Sequence, residues 1–439
     1  MYNYVNLGGA QSHPDKGKRF DLSEDTNKNA DIDDSSVILY PVDGYGNPAL
    51  IRSLIKLEKP DAIFLITDPR YFEWLFYMEN EIRKDIPIIY LNIWDDFPSP
   101  HYNKAFYESC DLLMGISKQT RLINELVLND KAKNKILDYV PHGINTNNFF
   151  PIGKDHIKYN ELQEFKNALF KGKQSDFTLL FNSRNIRRKQ IPDTLLAWKY
   201  FIDKLPKEKA DKCHFVLHTQ PVEEAGTDLW AVKEALFGPG YENILFSANR
   251  IPPNIMNLLY NVSDAQILLS SNEGWGLALT EAMIVGKPFI ANVTGGMQDQ
   301  MRFEDENGEW FNPSLEIPSN HTGKFQKHGK WAFPVFPKSR SLQGSPKTPY
   351  IWDDRCEAIE AGDQILKLYN MAPKEREEIG EAGRIWALSR EAGFTASIMG
   401  ERIIDNIDKL FETWVPRKSY ELINANTFEP DFIRHRLFY

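Results

Sequence analysis

The sequence predicts an α/β fold of two doubly wound parallel-sheet domains facing a cleft. Three observations carry that prediction. Short apolar runs alternate with stretches of helical periodicity along most of the chain. The alternation pauses at Phe149-Phe150-Pro151 and a charged helical stretch, then starts again. The sharpest pattern is an apolar run at residues 265–269, which leads through Ser270-Ser271-Asn272-Glu273-Gly274-Trp275-Gly276 into a helical stretch. Open α/β sheets bind ligands in such loops, at the carboxyl ends of their strands.

Taken in order, residues 1–35 are polar, and the only strand candidate there, residues 2–6, is weak. Strands are predicted at 36–42, 61–67, 88–93, 111–117 and 136–140. Helices are predicted at 49–57, 71–82 and 119–128 between them. After a charged helix at 159–171, strands recur at 177–181, 214–218, 243–246, 265–269 and 288–292. The basic loop Arg184-Asn185-Ile186-Arg187-Arg188-Lys189 precedes a helix opened by Pro192-Asp193. Residues 314–350 are rich in Pro, Lys and aromatics and lack periodicity, so they read as a long inserted loop, either a lid or a surface insertion. Further helices are predicted at 356–369 and 399–414. The expected division is an N-terminal domain at 1–151, a C-terminal domain at 152–414, and a tail at 415–439 that packs back on the first.

Composition narrows the function classes. A chain of 439 residues exceeds one ordinary core. A net charge of −9 argues against bulk electrostatic binding to nucleic acid. Cys110, Cys213 and Cys356 have no paired spacing, which excludes a cysteine metal cage and suggests a reducing compartment. No signal-peptide core or membrane-spanning run is read, so the expected location is cytoplasmic, with at most peripheral contact at the inner membrane face.

The loop at 270–276 carries the chemistry. Gly274 and Gly276 let backbone approach a ligand where a helix N-terminus favours anions. Glu273 supplies an acceptor-only group beside it, suited to sugar or ribose hydroxyls. Arg184 offers a planar fork for phosphate and Lys189 a point charge, whereas Arg187 and Arg188 read as solvated. A plain strand-loop-helix with solvated charges is the competing reading. Asp95-Asp96 end the strand at 88–93, where one of them is expected to orient or deprotonate an acceptor, with Asp96 the choice. An aspartate capping the next helix is the alternative.

These motifs resemble the retaining glycosyltransferases of family 4, which have the GT-B fold. Glu273-Gly274-Trp275-Gly276-Leu277 with Glu281 matches the Glu-x7-Glu signature of that family. Arg184 and Lys189 match its Arg-x4-Lys pair. Pro141-His142-Gly143-Ile144-Asn145 resembles its interdomain Pro-Asn-Gly-Val-Asp, with His142 in place of Asn. Gly380-Glu381-Ala382-Gly383-Arg384 resembles its late Gly-x-x-Gly-Arg.

The resemblance implies transfer of a sugar, usually a hexose, from a nucleotide-diphosphate sugar to an acceptor hydroxyl, with retention. It assigns the donor sugar to Glu273, the ribose to Glu281 and the leaving diphosphate to Arg184 and Lys189. Gly274, Trp275, Gly276, Leu277, His142 and Gly143 complete the donor site. The acceptor is expected to be a carbohydrate, a lipid-linked molecule or another hydroxyl compound, in cell-surface polysaccharide synthesis. No metal and no cofactor beyond the donor are implied. The pair Asp31 and Asp33, spaced like the metal aspartates of other sugar transferases, lies in a polar stretch and reads as a solvated loop.

The N-terminal domain reads as incomplete. The strand ending at Val42 resembles the third strand of the family, and the central first strand and its glycine-rich loop are not evident before it. Gly8-Gly9-Ala10 is the sole remnant read there. The expectations are therefore a smaller N-terminal sheet, an open acceptor side, and a chain less stable and less active than one extended upstream. Three alternatives stand beside the transferase. One is an idle GT-B scaffold that binds nucleotide or a partner. Another is a different GT-B enzyme, either an inverting transferase or a sugar-nucleotide epimerase. A dehydrogenase is the weakest, since no Gly-x-Gly-x-x-Gly follows a strand.

Overall fold

A computed structural model describes residues 2–9, 13–30, 32–317 and 319–418. These form two compact units: residues 2–63, 71–88 and 413–418 make the smaller one, residues 64–70 and 89–412 the larger.

The smaller unit holds β1 (Tyr4–Gly9), β2 (Phe20–Asp21) and β3 (Val37–Val42), in the order β1-β3-β2. β1 runs parallel to β3, with Tyr4 opposite Val37 and Gly9 opposite Val42. The expectation that no solid strand precedes residue 36 is therefore corrected. The physical reason is that β1 is held by its ladder to β3, while most of its residues are exposed, so it has no apolar periodicity to read. Ala10 and Asp31, at the ends of the two motifs read in this stretch, lie outside the described residues. The core here is small: Ile38, Tyr40, Val42 and Leu54, with Leu7 and Leu50 against it.

The helix Pro48–Glu58 is well signalled. Asn47 caps it by accepting from the Leu50 amide at 3.0 Å, and Lys59 ends it in the left-handed region at φ 48°. The single helix expected over 71–82 is instead two short turns, Glu73–Phe76 and Glu79–Ile82. Neither turn has a side-chain cap, and Met78 between them sits at φ −94°, ψ 3°. The aromatic run there also forms helix poorly. Of the C-terminal tail, Arg417 donates its amide to the Arg83 carbonyl at 2.7 Å and pairs with Glu79. Residues 419–439 lie outside the described residues.

The larger unit contains two sheets and a hairpin. β4 (Ile63–Ile66), β5 (Ile88–Asn92), β6 (Leu112–Gly115) and β7 (Ile136–Tyr139) form a four-stranded sheet in chain order, with β5, β6 and β7 parallel. The other sheet uses β8 (Phe177–Asn182), β9 (Cys213–His218), β10 (Ile244–Ser247), β11 (Ala265–Leu268), β12 (Phe289–Asn292) and β13 (Ala332–Val335). It is parallel throughout, with order β10-β9-β8-β11-β12-β13. Its strands are buried on both faces, which is why they read as unbroken apolar runs. Neither N-terminal sheet reaches its six strands.

The insertion at 314–350 is not structureless, as the sequence suggested. It supplies β13 as an edge strand, whose Pro334 is tolerated there, and most of the hairpin β14 (Ser339–Ser345) and β15 (Thr348–Arg355). Several shorter helices were not read from the sequence, nor were the helices Ser23–Ala30, Leu229–Phe237, Pro253–Val262 and Pro373–Ala387. In the last, Gly380 and Gly383 allow close packing on Gly286 and Trp331. Among the described residues, no helix is long and apolar enough to cross a membrane, and no cluster of His, Cys, Asp and Glu could hold a metal.

Candidate active site

Buried β11 delivers the chain to the glutamate loop, and the helix Leu277–Ile284 carries it away. The backbone packing here leaves no room for a side chain at Gly274 or Gly296. A Cβ on Gly274 would lie 2.5 Å from the Ile93 carbonyl oxygen, and one on Gly296 would lie 2.0 Å from that of Gly274. Gly276 holds φ 95°, a left-handed conformation that turns the chain into the helix. Trp275 is buried as an anchor, donating from Nε1 to the Thr280 hydroxyl at 3.0 Å and packing edge-on against Phe394.

This loop lines a cavity of about 470 Å3 together with Ile66, Thr67, Asp95, Ile116, His142, Asn182, Arg188 and Lys189. The N-terminal end of the helix, Gly276 to Ala278, faces it. Glu273 sits between two cations. Lys189 bonds one of its oxygens, and Arg188 Nη1 lies 2.8 Å from the other. The Ser270 hydroxyl donates to it at 3.0 Å. Burial acts to raise the Glu273 carboxyl, but Arg188 and Lys189 outweigh it and hold the group at about 2. Burial lowers the Lys189 ammonium against the pull of Glu273. Burial also opposes charge on Arg188, but Asp95 and Glu273 raise it above its ordinary value.

Two sequence expectations change here. Arg184, expected at the phosphate, is exposed, with its Nε donating to Glu223 at 2.6 Å, and it does not line the cavity. Arg188, expected to be solvated, is 26% exposed and takes the inner position. In the short 3-10 turn Arg187–Lys189, Arg188 and Lys189 converge on Glu273 while Arg187 turns to Asp353, which spacing alone does not reveal.

The two aspartates also exchange places. Asp96 is fully buried, accepting from the Phe97 amide at 2.7 Å and from Gln119 Nε2 at 2.9 Å. Burial and the neighbouring Asp354 push its carboxyl well above the usual range. Asp95 is the one that reaches the cavity, and it accepts from the Gly274 amide at 2.9 Å.

Glu281 lies between this cavity and a second of about 660 Å3, lined by Phe149, Arg250, Ile251, Pro252, Pro253 and Met256. The Tyr260 hydroxyl donates to it at 2.6 Å and Asn182 Nδ2 at 3.4 Å. Burial raises its carboxyl to about 7, partly offset by those two donors. His142 lines the first cavity and burial lowers its imidazole, while a Cβ on Gly143 would lie 2.3 Å from the Thr395 carbonyl oxygen. Leu277 lines the cavity and stays 42% exposed. The Arg250–Met256 wall had no sequence signal beyond its prolines.

Comparison with known proteins gives this geometry a context. A glycosyltransferase from Rickettsia africae superposes with a TM-score of 0.61 at 15% identity, covering 94% of this chain and 91% of that one. The E. coli trehalose-6-phosphate protein solved with UDP-2-fluoro glucose superposes with a TM-score of 0.60 at 11% identity, over 94% and 93%. Anabaena HepE, solved with UDP and glucose, gives 0.60 at 13% identity, over 88% and 89%.

The fold is GT-B. Residues 171–317, which hold the Arg188, Lys189, Glu273 and Glu281 positions, match the family model described as glycosyl transferases group 1. A curated relative, the UDP-forming alpha,alpha-trehalose-phosphate synthase A of Dictyostelium discoideum, is 26% identical over 57% of this chain. The match spans only 35% of that relative's own length.

Proposed function

We propose that this GT-B protein transfers a hexosyl group from a UDP-sugar to an acceptor hydroxyl with retention of anomeric configuration. The observation that carries the reading is Glu273 held ionised between Arg188 and Lys189, at a helix N-terminus that lines the cavity. A leaving diphosphate needs fixed positive charge, and the two cations with the helix end supply it without a metal. Glu273 then accepts from sugar hydroxyls. Glu281, at the junction with the second cavity, accepts from the ribose, and the Arg250–Met256 wall takes the base.

Asp95 is occupied with the Gly274 amide, and His142 is held neutral by burial. Asp95 is thereby engaged within the loop, and retention, with attack from the leaving-group face, is read from the Glu-x7-Glu resemblance; an inverted product would point to the neutral His142 as base. In this reading residues 1–151 form the acceptor side and residues 152–414 the donor side. The names of the relatives favour a sugar phosphate as acceptor over a growing cell-surface polysaccharide or a lipid-linked one. They lend no support to membrane contact.

The test is a thermal-shift panel of nucleotide sugars followed by proton NMR of the product anomer. A UDP-sugar should raise the melting temperature, because it binds only the native state. An inverted product, or no stabilisation by any nucleotide sugar, would refute the reading.

A further inference from the structure

The donor-site residues rest on the inserted hairpin. The end of β15 runs beside the glutamate loop and the basic turn at once. Toward the loop, the Asp354 amide donates to the Ser271 carbonyl at 2.8 Å. Asn272 Nδ2 donates to the Trp352 carbonyl at 3.0 Å and to Asp353 Oδ1 at 2.7 Å. Toward the basic turn, Arg187 pairs with Asp353, and Arg355 Nη2 donates to Gln190 Oε1 at 2.9 Å. Asn292 closes the bracket, donating from Nδ2 to the carbonyls of Ser270 at 2.9 Å and Asp354 at 2.8 Å.

Asp353 and Asp354 are 1% and 0% exposed. Buried carboxylates persist where partners satisfy them. Here Arg187 serves Asp353, while Arg340 and Thr294 serve Asp354. Neither aspartate lines the cavity, so neither touches a ligand there. The Asp353 carboxylate bonds instead to Asn272 and Arg187, the neighbours of Glu273 and Arg188. Asp353 accepts from residue 272 on one side and pairs with residue 187 on the other. That single carboxylate spans the two segments whose spacing sets the Glu273–Arg188–Lys189 contacts.

We propose that Asp353 is a positioning residue for the diphosphate-binding cations, and that the hairpin Ser339–Arg355 is the brace that carries it. The inference rests on the donor-site reading above. A brace acts on the phosphate part of the donor and leaves the base and ribose part, at Glu281 and the Arg250–Met256 wall, unchanged.

Calorimetric titration of UDP and of uridine into the full chain tests it. Asp353→Asn keeps an acceptor for Asn272 and loses the charge that pairs with Arg187. It should weaken UDP roughly tenfold to a hundredfold, the cost typical of a lost supporting shell. The uridine Kd and the binding stoichiometry should not move. A merely structural role would lower the stoichiometry at constant Kd, or weaken both ligands together, and either result overturns the proposal. So does an unchanged UDP Kd. Should Asp353→Asn fail to fold, Arg187→Gln cuts the same link from its half-exposed side and must show the same split between UDP and uridine. Wild-type protein that binds neither UDP nor uridine would instead remove the donor-site reading itself.

Discussion

The strands that come first in sequence in the three-stranded and the six-stranded sheet, β1 and β8, make an instructive pair. Five of six β8 residues are buried, and it lies inside a six-stranded sheet over a core that includes Trp198, Phe201 and Phe215. β1 is mostly exposed and lies at the edge of a three-stranded sheet with only a handful of buried side chains behind it. The first is held chiefly by burial, the second chiefly by its ladder to β3. Burial writes itself into composition, whereas a backbone ladder does not, because every residue but proline can make it.

The largest test of this contrast is a pair of core substitutions. Trp198→Ala should cost about 3–5 kcal/mol, as large aromatic truncations in a packed core do, whereas Val5→Ala on the exposed strand should stay within about 0.5 kcal/mol. Chemical denaturation of both variants measures the difference. Similar losses at the two sites would show that β1 is buried after all.

Next in size is Glu273→Gln. Nucleotide binding should persist, because the base and ribose wall is untouched, while transfer falls by about two to three orders of magnitude, as for a lost charge-stabilising group. An active Glu273→Gln protein would remove the central residue of the proposed site. Close behind are the cations. Arg188→Ala and Lys189→Ala should each cut transfer by about a hundredfold, whereas Arg184→Ala, on the exposed side of the turn, should cost less than about tenfold. The reverse order in kcat/KM would restore Arg184 to the site and remove Arg188.

The smallest effect is a pH dependence. Glu281 titrates near about 7 in the free protein, above its ordinary 4.5, because burial disfavours the charge. Its contribution to stability is thus fully present below about 4.5 and is lost as pH rises through about 7. A ribose hydroxyl donates best to the ionised form. Uridine affinity should therefore climb by up to about tenfold per pH unit below the Glu281 titration and level off above it. In Glu281→Gln the profile should be flat. A flat profile in the wild-type protein would separate Glu281 from the ribose.

The alternating elements, the strand-loop-helix at Glu273 and the shared stretch of Arg188 and Lys189 were all legible in the sequence. They depend on local periodicity, caps and turn glycines, and these act within a few residues. The tertiary structure decided which neighbour does what. Asp95 and Asp96 are adjacent in the irregular segment past β5, and only packing decides that Asp95 faces the cavity while Asp96 is buried. The turn at Arg187–Lys189 likewise sends Arg188 and Lys189 inward to Glu273 and Arg187 to Asp353, and only those distant partners decide which is which. β15 had no signal for its role as a brace. Its buried Asp354 pairs with Arg340 across the hairpin, but Asp353 is satisfied by Arg187 and Asn272, far away in the chain, and pairing at that distance leaves no local pattern to read.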